Sequence, residues 1–138
     1  MRAELLRRCR AVEESYEFML AYAAQGLASE DGSQSGSQIR ETLQRAVEAL
    51  TGLANGCVTA VIAGALDSAE KYLAFVDVLD RDARDALSAI ELVLAQPSIS
   101  SQLIDNLNAS IHLRAVLTDL FLLSDIATTH MRAANTSQ

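Results

Sequence analysis

The sequence lacks tryptophan, is poor in aromatic residues at 4%, and contains a single proline and two cysteines. Scarce aromatics argue against a β-sheet core, which draws on aromatic and β-branched side chains. The abundance of Ala and Leu favours helices instead. Because Pro97 is the only proline, long stretches carry no residue that forbids an α-helix. Cys9 and Cys57 have no CxxC spacing, so they suggest neither a disulfide framework nor a zinc-ligand set. Both fall on helical faces that read as core, and reduced buried thiols are expected.

Basic charge is also in short supply. Eleven Lys and Arg stand against 18 Asp and Glu, for a net charge of −7. That balance opposes binding to nucleic acid or to anionic membrane surfaces, both of which rely on a basic face. No apolar run reaches the roughly 20 residues that a bilayer-spanning helix needs. Arg2, Arg7, Arg8 and Arg10 cluster near the start, but no apolar stretch of signal-peptide type follows them before Glu13 and Glu14. A cytoplasmic location is the expectation.

What the chain has is apolar material in helical register. Half of its 138 residues are hydrophobic, enough for one core without a structural metal. Leu5, Cys9, Val12, Tyr16, Met19, Ala23 and Leu27 recur at spacings of three and four, which predicts a helix over 2–27. Residues 28–37, ASEDGSQSGS, lack any large apolar side chain and read as a mobile loop. Ser35 followed by Gln38, or Ser37, could cap the next helix. That helix is predicted over 38–65 on Ile39, Leu43, Val47, Leu50, Ala54, Cys57 and Val61. Asp67 followed by Glu70 suggests a fresh cap, and a third helix follows over 68–95. Its seam is Tyr72, Val76, Leu79, Ala83, Ala86, Ile90 and Val93. Pro97 then interrupts, and a fourth helix is expected over 99–130. Matched lengths and short connections imply an all-α fold, an antiparallel up-down-up-down four-helix bundle in one domain.

Charges at helical spacing read first as solvated surface pairs: Glu4 with Arg8, Arg10 with Glu14, Asp77 with Arg81, Asp80 with Arg84, and Arg81 with Asp85. More informative is a row of small residues, Gly52, Gly56, Ala60 and Gly64, four apart in an uncharged segment. Each glycine costs a helix about 0.8–1 kcal/mol relative to alanine, so the row suggests close approach of another backbone. Two further faces are expected to exceed the needs of one bundle. Helical spacing predicts that Phe18 and Tyr22 project nearly opposite Val12, Tyr16 and Met19, with Ala11 on the same strip. Residues 115–127, AVLTDLFLLSDIA, are apolar around most of the helix and include Leu120 and Leu123. These three faces predict a homo-oligomer, a dimer first, and a docking surface for a partner protein.

Signals of chemistry are weaker. Ser101, Asp105, Asn108, His112 and Asp119 form a polar line, where a histidine between carboxylates could bind metal or move protons. A polar helix face in water has the same composition. Arg114 projects with Leu107, Ile111 and Phe121, so its guanidinium must snorkel, pair with a carboxylate such as Asp80 or Asp125, or meet a ligand anion. No nucleophile motif, phosphate loop or metal-spaced set is visible, and no cofactor is expected. The sequence thus reads as a non-catalytic adaptor, assembly factor or regulator. The alternative is a small-molecule- or metal-binding bundle, possibly an enzyme, using Arg114 and His112 with Asp105 and Asn108.

Overall fold

In the computed structural model the backbone is described for residues 2–64 and 69–136, and the side chains for 3–59 and 69–126. Among these residues the chain is helical, with no strand: α1 (Arg2–Ala24), α2 (Gln34–Leu50), α3 (Leu53–Gly64), α4 (Ala69–Leu94), α5 (Ser101–Ala109) and α6 (His112–Thr136). The expected periodicities define the inner faces. Ile39, Leu43, Ala46, Ala49 and Leu50 are buried on α2, and Val76, Leu79, Ala83, Ala86, Ile90 and Val93 on α4. Helix α1 packs on α2 and α5, and α4 packs on α3 and α6. The shared core closes around Met19, Leu43, Leu53, Leu79, Ile90, Ile104 and Val116.

Two of the expected long helices are broken. Residues 38–65 divide at Thr51, whose backbone is extended (φ −69°, ψ 118°), and Gly52, whose φ is +81°. A left-handed residue at this point ends a helix, and glycine is the residue that adopts it without strain. The exposed carbonyls left behind are satisfied from α1. The Arg8 guanidinium donates to Glu48 O at 3.0 Å, to Ala49 O at 3.3 Å and to Thr51 O. Arginine geometry, with several donors in a planar fork, suits this capping of a helix end. Apolar spacing did not reveal the break because Leu50, Leu53 and Cys57 stay buried across it.

Residues 99–130 divide likewise. Ser110 caps α5, and Ile111 has φ 61°, an uncommon conformation for a β-branched residue. Ile111 is 58% exposed, so its side chain escapes crowding. The expected cap at Asp67, the helix end near residue 65 and the side chains of Ala60, Gly64 and His130 lie outside the described residues.

Helix α2 starts earlier than expected, because Ser33 rather than Ser35 or Ser37 caps it by accepting the Gly36 N–H at 2.9 Å. The segment expected to be mobile is instead tied down. The Glu30 carboxylate accepts from Arg40 Nε and Nη2, each at 2.8 Å, and from the Ile99 N–H at 3.2 Å. Arg40 also donates to Leu94 O at 2.9 Å and Gln96 O at 2.8 Å. Next to it, the Tyr22 hydroxyl donates to Ile99 O at 2.6 Å, and Ser101 Oγ donates to Tyr22 O at 2.6 Å. The Leu27 N–H donates back to Ser101 Oγ at 2.8 Å. A polar clasp therefore joins the end of α1, the 25–33 segment, the start of α2 and the turn between α4 and α5.

Within the chain, no helix backbone approaches the described part of the small-residue row closely. Gly52 sits at the break, and a Cβ added to Gly56 would meet only Leu5 Cδ1, at 3.8 Å. Ordinary contact distance leaves room for a methyl group. Gly56→Ala is therefore expected to stabilise the protein by about 0.5–1 kcal/mol through helix propensity, measured by urea unfolding. Destabilisation would mean that a closer neighbour occupies this face.

Candidate functional site

Exposed large apolar side chains lie on α1 (Leu6, Leu20), on α4 (Leu92) and on α6 (Phe121, Leu122). A groove of about 370 Å³ runs between α1 and α6, lined by Glu13, Tyr16, Glu17, Arg114, Leu117, Thr118 and Phe121. On α1, Glu13, Glu17 and Leu20 follow one another at spacings of four and three, so they share a face. Residues 114, 118 and 121 repeat the same spacing on α6. Leu20 is 47% and Phe121 55% exposed. Arg114 is exposed in the same groove and closes no ion pair with either glutamate. The groove thus offers the exposed Phe121 ring, two carboxylates and a guanidinium with open donors, and Leu20 lies outside its lining.

Of the residues expected at an interface, several serve the core instead. Tyr22 does not project outward: it is fully buried on the same face as Val12 and Met19, because positions 12, 19 and 22 are seven and three apart. Burial, and secondarily the charge of Glu30, push its phenol up from the usual value. Phe18 is half-buried and stacks on Tyr22 with ring centroids 6.3 Å apart, and Ala11 and Leu123 pack partly against the core. Leu120 is buried. Sequence reasoning missed Leu20, Glu13 and Glu17. The available signal was a leucine standing on an otherwise charged helical row.

The polar line does not assemble as one face, because Ile111 turns the chain between its members. Ser101 is consumed by the clasp. Asp105 is exposed, and Asn108 donates through Nδ2 to Met19 O at 3.3 Å. His112 opens α6 and does not line the groove that holds Arg114. Of the two carboxylates expected near Arg114, Asp80 pairs instead with Arg84 at 2.9 Å. Glu4 pairs with Arg8 at 3.3 Å as expected, whereas Arg10–Glu14, Asp77–Arg81 and Arg81–Asp85 do not close. Among the described residues, no group of three or more His, Cys, Asp or Glu is placed to hold a metal ion.

Cys57 is buried, and that burial pushes its thiol up to about 11, so it is protonated and unreactive at neutral pH. Asp119 is a buried acid with a raised carboxyl. Burial, then hydrogen bonding to and repulsion from Asp82 on α4, raise its carboxyl to about 7. No described helix is long and apolar enough to cross a membrane. The chain matches no protein-family model, and no similar curated protein or solved structure was found.

Proposed function

We infer that the chain is a non-catalytic helical-bundle protein that self-associates and, as a dimer, serves a partner protein as adaptor, assembly factor or regulator. The fold is read as an antiparallel up-down-up-down bundle of four rods: α1, α2 with α3, α4, and α5 with α6. Two free cysteines fit a reducing, cytoplasmic setting.

The observation that carries this reading is the α1–α6 groove. Phe121 is a large apolar side chain, 55% exposed in that groove, and covering it removes apolar surface from water at about 25 cal/mol per Å². Glu13, Glu17 and Arg114 in the same groove make it self-complementary in charge. Two-fold pairing of identical surfaces uses that property.

Light scattering of the purified protein across a dilution series tests the proposal. The expected mass is that of a dimer, and Phe121→Glu should raise its dissociation constant at least about tenfold, or about 1.4 kcal/mol. Phe121 is 55% exposed, so the substituted chain should keep its melting temperature. A monomeric mass at every concentration, or an unchanged dimer with Phe121→Glu, would overturn the reading.

A further inference from the structure

Asp119 is a buried acid, only 9% exposed, on the side of α6 that meets α4. Its Oδ2 is fully enclosed and receives no hydrogen bond from any N–H or O–H of the protein. Across the interface stands the carboxyl of Asp82, half-buried on α4. Two ionised carboxylates are acceptors only, so they can bond to one another only through a proton. Like charges in such proximity cannot both ionise without a large cost.

We propose that Asp82 and Asp119 hold one shared proton that joins α4 to α6, making the docking of α6 sensitive to pH. The inference goes beyond self-association and stands independently of it. The Asp119 carboxyl keeps its proton and donates its O–H to the Asp82 carboxylate. Ionisation releases that proton to solvent and leaves two carboxylates opposed across a helix interface.

The surroundings offer no substitute for the proton. Helix α6 packs against α4, α1 and α5. From α4, Asp82 is the charged group that acts on Asp119. From α1, Glu13 and Glu17 flank Arg114 in the groove, which Asp119 does not line. The sole titratable side chain of α5 is Asp105, which is exposed. On α6 itself, His112 lies seven positions before Asp119, and Arg114 faces the groove. The pair therefore lacks a compensating cation among the described residues.

The sign of the effect follows from the direction of the perturbation. A carboxyl raised from 3.8 to about 7 in the fold binds its proton more tightly there than in the unfolded chain. Its contribution is complete below the unfolded value and is lost as pH rises through about 7. Thermal unfolding of the full chain at about pH 5.5 and about pH 8.5 reads this directly, with an expected fall of at least about 5 °C at the higher pH.

Asp119→Asn supplies a permanent donor to Asp82. It should flatten the dependence and melt above the unsubstituted protein at the higher pH. A melting temperature that is flat across this range in the unsubstituted protein, or an equal fall in Asp119→Asn, would overturn the proposal. Carbon-13 NMR of the unsubstituted protein gives an answer even if the variant does not fold. One aspartyl carboxyl should titrate near neutrality, and titration of every described aspartate below about pH 5 would overturn the proposal too.

Discussion

Gly36→Ala should lower the stability of the protein by about 3 kcal/mol, seen as a fall of about 10 °C in melting temperature. The reason is space rather than backbone conformation. A Cβ on Gly36 would stand 1.9 Å from the Glu30 carbonyl oxygen and 2.6 Å from its carbon. Those atoms are backbone, so they cannot swing aside as a side-chain tip can. The 25–33 segment must move, taking the Glu30 carboxylate away from Arg40 and from the Ile99 N–H. Helix propensity acts in the opposite direction by about 1 kcal/mol, which makes the net sign diagnostic. Equilibrium urea unfolding measures it. A loss smaller than about 1 kcal/mol would show that the segment can shift without releasing its contacts.

Arg40→Met should cost about 2 kcal/mol by the same measurement. Methionine retains an apolar stem but leaves the Leu94 and Gln96 carbonyls without their donor and removes the cation from Glu30. The hydrogen bonds from Arg40, and next to them its charge, hold the Glu30 carboxyl below its ordinary value of 4.5 despite partial burial. A depressed carboxyl contributes stability above its unfolded value. That contribution is therefore present at neutral pH and disappears as pH falls below about 4.5 through the depressed value in the fold. The unsubstituted protein should lose more stability on acidification than Arg40→Met does. Parallel acid profiles for the two proteins would show that Arg40 and Glu30 do not act as a pair.

Much of the architecture was legible in the sequence because burial enforces periodicity. The seam of α4 appears in the structure at the expected positions from Val76 to Val93. Breaks were harder to read, since the apolar register runs through them. At Gly52 the decisive partner, Arg8, comes from 44 positions earlier and looks from sequence like an ordinary surface charge. At Ile111 the local residue argues against its own conformation. The clasp was hidden for a similar reason: Glu30 and Arg40 have no helical spacing, and Ser33 was one of several serines that could cap. At the candidate groove, Arg114 was conspicuous from its position. Its neighbours Glu13 and Glu17 were not, because which face of α1 meets α6 is decided by tertiary packing. Tyr22 shows the complementary error, since a large amphipathic ring can bury its body and still place its hydroxyl on a backbone carbonyl.

The clasp has a consequence for chain entropy. Its bonds from Arg40, Tyr22, Leu27 and Ser101 join residues 54 to 79 positions apart. Whichever forms first must close a loop of that length, with a logarithmic term of about 4 kcal/mol. Those that follow close only the short slack that remains. Each bond thus inherits a closure that another has already made, and loss of one leaves the loop shut. Gly36→Ala and Arg40→Met both act on Glu30, so their combined cost should fall short of the sum of the two. Topologically, the chain from α2 through α4 is a ring whose base is fastened by the hydrogen bonds of Arg40 to Leu94 O and Gln96 O.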